Sequence, residues 1–291
     1  MNFNYTVLLP IFNEPVRIYP ILKNFERIAK VLVLLDPSDT KTKSILIQKN
    51  IDYIIRPDGL FDLETKVQIS WMLKQVNTDY FLFANASTYY PKKLLTEFGI
   101  IADEGKFDGI KNSMYYWSHG KLVLKPFILK KSTSSYFFRK SAIQINKSKI
   151  HDEFQISDDK DFLVLPPKSD YSVHVFLDDD IPARIEKNLK YSKIEANQLL
   201  KEGFKISFKH VFFIPLKSFI VGYIRLGGFL AGIEGLMFHL NSAIYKFMVY
   251  SYLFELLNNK TFSKNREVSA KYRLDLLGDL KSQRNKAFEK K

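Results

Sequence analysis

Several short polar clusters interrupt the apolar runs of this chain, and each has side chains able to hold a phosphate, a metal ion or a proton. Asn13-Glu14 follows the apolar run at 5–11, Asp36 closes the run at 30–36, and Asn85-Ala86-Ser87 ends the aromatic run "YFLF". Asp36 precedes Ser38-Asp39-Thr40; its carboxylate can accept from a uracil or ribose, and the turn behind it supplies backbone donors. Capping or turn formation explains a strand-end Asp equally well. Asn13 divides in the same way between a helix cap and a ligand contact. His151-Asp152-Glu153 sets an imidazole beside two carboxylates; taken alone, it reads as a solvated acidic loop. His174, in "YSVHVF", reads as a structural histidine or a ligand to diphosphate or metal. Asp178-Asp179-Asp180 is explained most simply as the cap of a Pro-initiated helix.

The elements that must position these groups alternate between strand and helix patterns. Residues 5–11, 30–36 and 51–56 are continuous apolar runs rich in β-formers, and Ile18, Ile21, Leu22, Phe25 and Ile28 recur at helical spacing between the first two. Residues 63–76 form a further helix. Uninterrupted apolar strands alternating with helices predict a mostly parallel sheet covered on both faces. Such sheets bind ligands beyond their carboxyl ends, where Asn13, Asp36 and Asn85–Ser87 all fall. Residues 107–176 read as mixed strands and loops. A helix follows, with Asp180 as its cap, Pro182 in its first turn and Gly203 just past its end. This divides the chain into a first domain at 1–180 and a helical extension at 181–291.

At 291 residues, 46% of them hydrophobic and 15% aromatic, the chain is long and apolar enough for a large folded core. It contains no cysteine, so disulfides, thiolate metal sites and cysteine nucleophiles are excluded. The N-terminal stretch has no basic region before its short apolar run, so a cytosol-facing protein is expected. The net charge of +13 is lopsided: residues 1–180 carry +2 and residues 181–291 carry +11. An anionic partner is expected for the last third, either nucleic acid or acidic lipid. Charges interrupt the apolar stretch 206–257 every few residues, which suits helices lying in a membrane interface, packing on the main domain, or dimerisation.

The order of apolar strand, Asn13-Glu14, helix, strand, Asp36 and Ser/Thr turn resembles the start of glycosyltransferase family 2, inverting enzymes of the GT-A fold. "LETKVQISWMLKQVNTDYFLFANASTYYPKKLL" resembles the family's next helix, metal-binding strand and proline-started helix, with Asn85, Ala86, Ser87 and Thr88 standing where the family has Asp-Ala-Asp-Glu. "SYFFRKSAIQINKSKIHDEF" and the helix with Lys187, Tyr191, Glu195 and Ala196, followed by a glycine-punctuated segment, resemble the branch of lipopolysaccharide-core β-glucosyltransferase-like enzymes. The match runs to about residue 256.

This resemblance implies a GT-A fold: a mostly parallel α/β sheet flanked by helices, with a C-terminal helical extension for membrane docking or oligomerisation. It implies a hexosyltransferase, with Asp152 as the base and Glu153 in reserve. Pro10, Asn13, Glu14, Asp36, Lys66, Asn85, Ser87, Arg139, His151 and Lys187 would bind the nucleotide-sugar. With both aspartates of the metal motif replaced, any Mg²⁺ or Mn²⁺ would be held weakly or mainly through the donor diphosphate, with Asn85, Ser87 and His174 as candidate ligands. The cations Lys66, Arg139 or Lys187 could otherwise stabilise the leaving group. The expected partners are a UDP-linked donor, a lipid-linked, core or capsular glycan acceptor, an anionic membrane surface and a second copy of the chain. Nucleic acid is not expected, because only the excess charge favours it. The expected location is the inner face of the membrane, peripherally bound. The competing reading is a catalytically silent GT-A-like partner in envelope glycan assembly.

Overall fold

The structure is a computed structural model that describes residues 4–57, 66–124, 137–144, 155–156, 160–177, 180–260 and 262–288. Three parallel strands, β1 (Tyr5–Ile11), β2 (Lys30–Leu35) and β3 (Tyr53–Ile55), are linked by helices α1 (Ile18–Phe25) and α2 (Thr40–Gln48). After α3 (Lys66–Lys74) the chain crosses to the other side of β1, where β4 (Tyr80–Phe83) pairs in parallel. A short β5 (Thr88–Tyr89), α4 (Lys92–Glu104), β6 (Gly109–Lys111), β7 (Met114–Ser118), β8 (Lys121–Leu124), β9 (Phe137–Arg139), β10 (Ile143–Gln144), β11 (Gln155–Ile156), β12 (Phe162–Val164) and β13 (Val173–Leu177) follow. The main sheet has the order β12-β6-β9-β4-β1-β2-β3, with β9 running against its neighbours β4 and β6. A second sheet has the order β5-β13-β7-β8, and β10 and β11 form a separate pair.

The period-2 alternation of side chains along β1 explains the two cores. Tyr5, Val7, Leu9 and Ile11 face one way and pack with Ile18, Ile21 and Phe25 of α1, Leu46 of α2 and Leu94, Leu95 and Phe98 of α4. Leu8 faces the other way, with Leu34, Phe81, Phe83 and Phe138, and is covered by Met72 and Leu73 of α3. Burial on both faces is why β1 is apolar at every position but Thr6, whose buried hydroxyl bonds Thr78. The result is the mixed α/β architecture expected from the sequence, with a mostly parallel sheet flanked by helices.

Beyond β13 come α5 (Ile181–Lys201), α6 (Phe208–Ile220), a π-turn at Val221–Arg225, a 3-10 turn at Gly228–Ala231, α7 (Ile233–Leu257) and α8 (Phe262–Phe288). The chain forms two compact units. The first comprises residues 1–180 and 219–240, and the second residues 181–218 and 241–291. The hairpin 219–240 is thus part of the first unit. Within the second unit, Glu195 of α5 accepts hydrogen bonds from Tyr245 and Lys246 of α7, and Asn188 bonds Asn241. Gly203 takes the left-handed conformation that ends α5 (φ +70°).

His239 fixes the hairpin to the first unit. Its Nε2 donates to the Val123 carbonyl of β8 at 3.0 Å, and its ring is buried. Burial pushes its pKa below the usual 6.5, partly opposed by the Val123 bond. As pH falls below about 6.5, the unfolded chain takes up a proton that the native ring resists, so stability declines until the lower native pKa is reached. Thermal melts between about pH 8 and pH 5 are expected to show this decline, and His239→Gln, which keeps an amide donor, should flatten it. Equal slopes for the two proteins would refute the assignment.

Candidate functional site

Strand order reverses at β1, with β2 and β3 on one side and β4 on the other, and ligands of open α/β sheets bind at such a switch point. Pro10 opens the crevice there. Its nitrogen has no hydrogen to donate, and β1–β4 pairing stops at Leu8↔Phe83 with one further bond from Ala84 N–H to the Leu8 carbonyl. On the other side, β1–β2 pairing continues through Pro10↔Leu34 to Ile11↔Leu35. The two central strands therefore part at their carboxyl ends.

The loop after β1 forms one wall. Asn13 adopts the left-handed conformation (φ +56°), which asparagine tolerates better than most residues. Its N–H donates to Asp39 Oδ2 at 2.6 Å, and the Glu14 N–H donates to Thr42 Oγ1 at 3.0 Å. Asp39 also accepts from the Thr42 N–H as the N-cap of α2. Asn13, read as a possible cap of α1, does not cap it: α1 begins at Ile18, with Arg17 in the cap position. The Glu14 carboxylate meets Arg17 at 2.6 and 2.7 Å, a local ion pair that sets the turn into α1.

Asp36 lies on the same edge, but its carboxylate faces inward. It is 3% exposed. Oδ1 accepts from the Ser38 N–H and hydroxyl at 3.0 and 2.6 Å, and Oδ2 meets the Arg56 guanidinium at 2.5 Å. Arg56 is equally buried, and burial pulls its pKa down while Asp36 pulls it up. The pair locks the ends of β2 and β3 together. In this arrangement the Asp36 carboxylate is not presented to a nucleotide, and it is the turn behind it that borders the crevice.

The Asn85–Thr88 turn forms the opposite wall. Thr88 closes it with its N–H and hydroxyl on the Asn85 carbonyl, at 3.1 and 2.6 Å. The Phe176 N–H donates to the Ser87 carbonyl at 2.7 Å and ties the turn to the second sheet. Asn24 of α1 secures the following segment by bonding both the N–H and the carbonyl of Tyr90. Asn85 is exposed and Ser87 half-buried. A metal there would find one amide oxygen and one hydroxyl. Among the described residues no cluster of three His, Asp or Glu could hold a metal ion. These groups do not fit a divalent cation, which prefers anionic oxygen.

His174 does not face the crevice as a ligand. Its Nδ1 accepts from Trp117 Nε1–H at 3.0 Å, which leaves the proton on Nε2, directed at the Ser169 carbonyl at 3.2 Å. Tyr115 and Trp117 lie parallel to its ring, with centroids 5.2 and 5.9 Å away. With both nitrogens engaged, it is a structural residue of the second sheet.

Arg139 falls at the wrong edge. It pairs with Tyr80 at the amino end of β4, about 16 Å of extended chain from Asn85. It donates to the Tyr80 hydroxyl at 2.6 and 2.9 Å and to the Gly105 carbonyl, so it braces the far side of the sheet. Lys66 is the first residue of α3. Lys187 is exposed on α5, in the second unit. His151, Asp152, Glu153, Asp178 and Asp179 lie outside the described residues. Pro10, Asn13, Glu14, the Asp36 turn, Asn85 and Ser87 thus all lie at the carboxyl ends of the neighbouring strands β1, β2 and β4. Sequence reasoning missed Asp39 and Arg56; the signal available for Arg56 was an arginine directly after the apolar run of β3.

No protein-family model matches the chain, and neither does any curated protein sequence. Among solved structures, the chain is similar to TarS 1–349 of S. aureus at 13% identity and a TM-score of 0.45, covering 89% of this chain and 92% of that one. The same protein in complex with UDP-GlcNAc gives 12% and 0.44, covering 89% and 93%. Glucosyl-3-phosphoglycerate synthase from Mycobacterium tuberculosis, in complex with Mn²⁺, UDP and glucosyl-3-phosphoglycerate, gives 12% and 0.42, covering 70% and 81%. Likeness at this level carries no residue role across.

Proposed function

We propose that this chain is an inverting glycosyltransferase of GT-A type. It would move a sugar from a nucleotide-sugar, UDP-linked in the first instance, to a lipid-linked, core or capsular glycan acceptor. The observation that carries the reading is the β1–β4 crevice. It is opened by a proline, and the polar segments singled out by their sequence pattern, Asn13-Glu14, the Asp36 turn and Asn85–Ser87, border it. In the reaction, an acceptor hydroxyl oxygen attacks the anomeric carbon as the bond to the diphosphate breaks. The nucleoside diphosphate leaves with the electron pair, and Asp152 takes the hydroxyl proton. Lys66, which the family pattern sets near the donor, would balance charge on the departing diphosphate.

A metal would supply Lewis-acid stabilisation of that diphosphate. The neutral pair Asn85 and Ser87 argues against a protein-held ion, so the same Kd for UDP is expected with Mn²⁺ as with EDTA in titration calorimetry. Marked tightening by Mn²⁺ would mean that other carboxylates complete a site.

Loss of both metal-binding aspartates also favours a second reading, a silent GT-A-like partner in envelope glycan assembly. A panel of UDP-hexoses and UDP-N-acetylhexosamines separates the two. Release of UDP with any donor supports the transferase, and tight donor binding without turnover supports the silent partner. No binding to any nucleotide-sugar would defeat both.

A further inference from the structure

The hairpin 219–240 has one face fixed to the protein and another that is apolar and exposed. On the inner face, His239 fits against backbone: a Cβ on Gly222 would lie 2.1 Å from its Nδ1, and one on Gly228 2.3 Å from its Cδ2. A Cβ on Gly235 would lie 1.9 Å from the Gly228 carbonyl oxygen. Phe238 packs beside Tyr116 of β7, and Glu234 pairs with Lys121 of β8 at 2.9 Å. Contacts this close prevent the hairpin from rotating to hide its other side.

That other side carries Phe229 (51% exposed), Leu230 (68%) and Ile233 (69%), with Ile224, Met237 and Leu240 also exposed. Ile233, Met237 and Leu240 follow i, i+4, i+7 spacing and share one face of α7. A helix with one side buried normally turns polar residues to water on the other. Here the side turned to water is apolar, and the turn between the helices adds Phe229 and Leu230 to it.

We propose that this hairpin is a monotopic anchor that inserts Phe229, Leu230 and Ile233 into the acyl boundary of an anionic bilayer. Charge selects lipid over a second copy of the chain. The hairpin carries only Arg225 and Glu234 and is neutral, while the sequence before it (181–218) carries +5 and that after it (241–291) carries +6. Two copies meeting through this face would bring like-charged chains together, whereas an anionic leaflet attracts the same charge. No helix among the described residues is long and apolar enough to cross a membrane, and the hairpin fits the interfacial mode, with a few large apolar side chains and a nearby Arg. The anchor does not depend on the transferase reading, so either can fail alone.

The test is flotation of the full chain with phosphatidylcholine vesicles containing about one third phosphatidylglycerol, against pure phosphatidylcholine, at low and high salt. The wild type is expected to float with the anionic vesicles at low salt. L230E/I233E should partition about tenfold or more weakly while keeping its melting temperature. If that variant fails to fold, Phe229→Trp decides alone: brominated lipid should quench its emission well beyond that of the wild type. Absence of flotation, unchanged flotation of a folded L230E/I233E, or no added quenching would overturn the anchor. A concentration-dependent dimer that L230E/I233E abolishes, with vesicles binding neither protein, would assign the face to a second copy instead.

Discussion

Asp152→Asn is expected to lower the turnover number for sugar transfer by about 10²–10⁴-fold, with donor affinity nearly unchanged. The asparagine side chain is isosteric and can still accept a hydrogen bond, but it cannot carry away the acceptor proton as the new glycosidic bond forms. A change confined to the turnover number separates a base from a binding residue, since loss of uniform binding would raise KM instead. Glu153→Gln should cost far less if Asp152 is the base. The reverse order would move the role one residue along, and full activity in both variants would remove this pair of carboxylates from the chemistry. Donor binding by calorimetry must be unchanged in both proteins, so that the comparison reads the proton transfer.

The parts of the fold legible in sequence are those in which each residue meets the same environment as its neighbours. β1 is buried along its whole length and β2 over its second half, so both read as nearly unbroken apolar runs, and they occupy Tyr5–Ile11 and Lys30–Leu35. The Pro182 and Gly203 punctuation of α5 was legible because both act through local backbone geometry. Side-chain destinations set by distant partners were not. Asp36 and Asn13 stand at strand ends in a pattern that suggests ligands, yet the Asp36 carboxylate turns to Arg56, twenty residues on, and the Asn13 N–H turns to Asp39. Arg139 closes a strand much as the crevice residues stand at strand ends, but its strand runs antiparallel, which reverses the edge at which it emerges. The glycines at 228 and 235 belong to the segment that resembles family punctuation; with Gly222 they leave space for His239 and for a neighbouring backbone.

Asp36→Ala is expected to destabilise the protein by about 3–5 kcal/mol, because it leaves the Arg56 guanidinium buried without its carboxylate. For a chain of this size that corresponds to a fall in melting temperature on the order of 10 °C. The two roles open to Asp36 make opposite forecasts. If its carboxylate held the nucleotide, the variant would melt near the wild-type temperature and lose UDP affinity. With the carboxylate committed to Ser38 and Arg56, stability falls, and at temperatures where the variant remains folded UDP binding weakens only as far as the β2 end shifts. Replacing both partners with apolar side chains, Asp36→Leu with Arg56→Met, should recover much of the loss, since removing a buried pair together deletes both desolvation penalties. Recovery of stability without recovery of donor binding would leave the pair a further role: holding the turn after β2 in the position from which its backbone N–H groups meet the ligand.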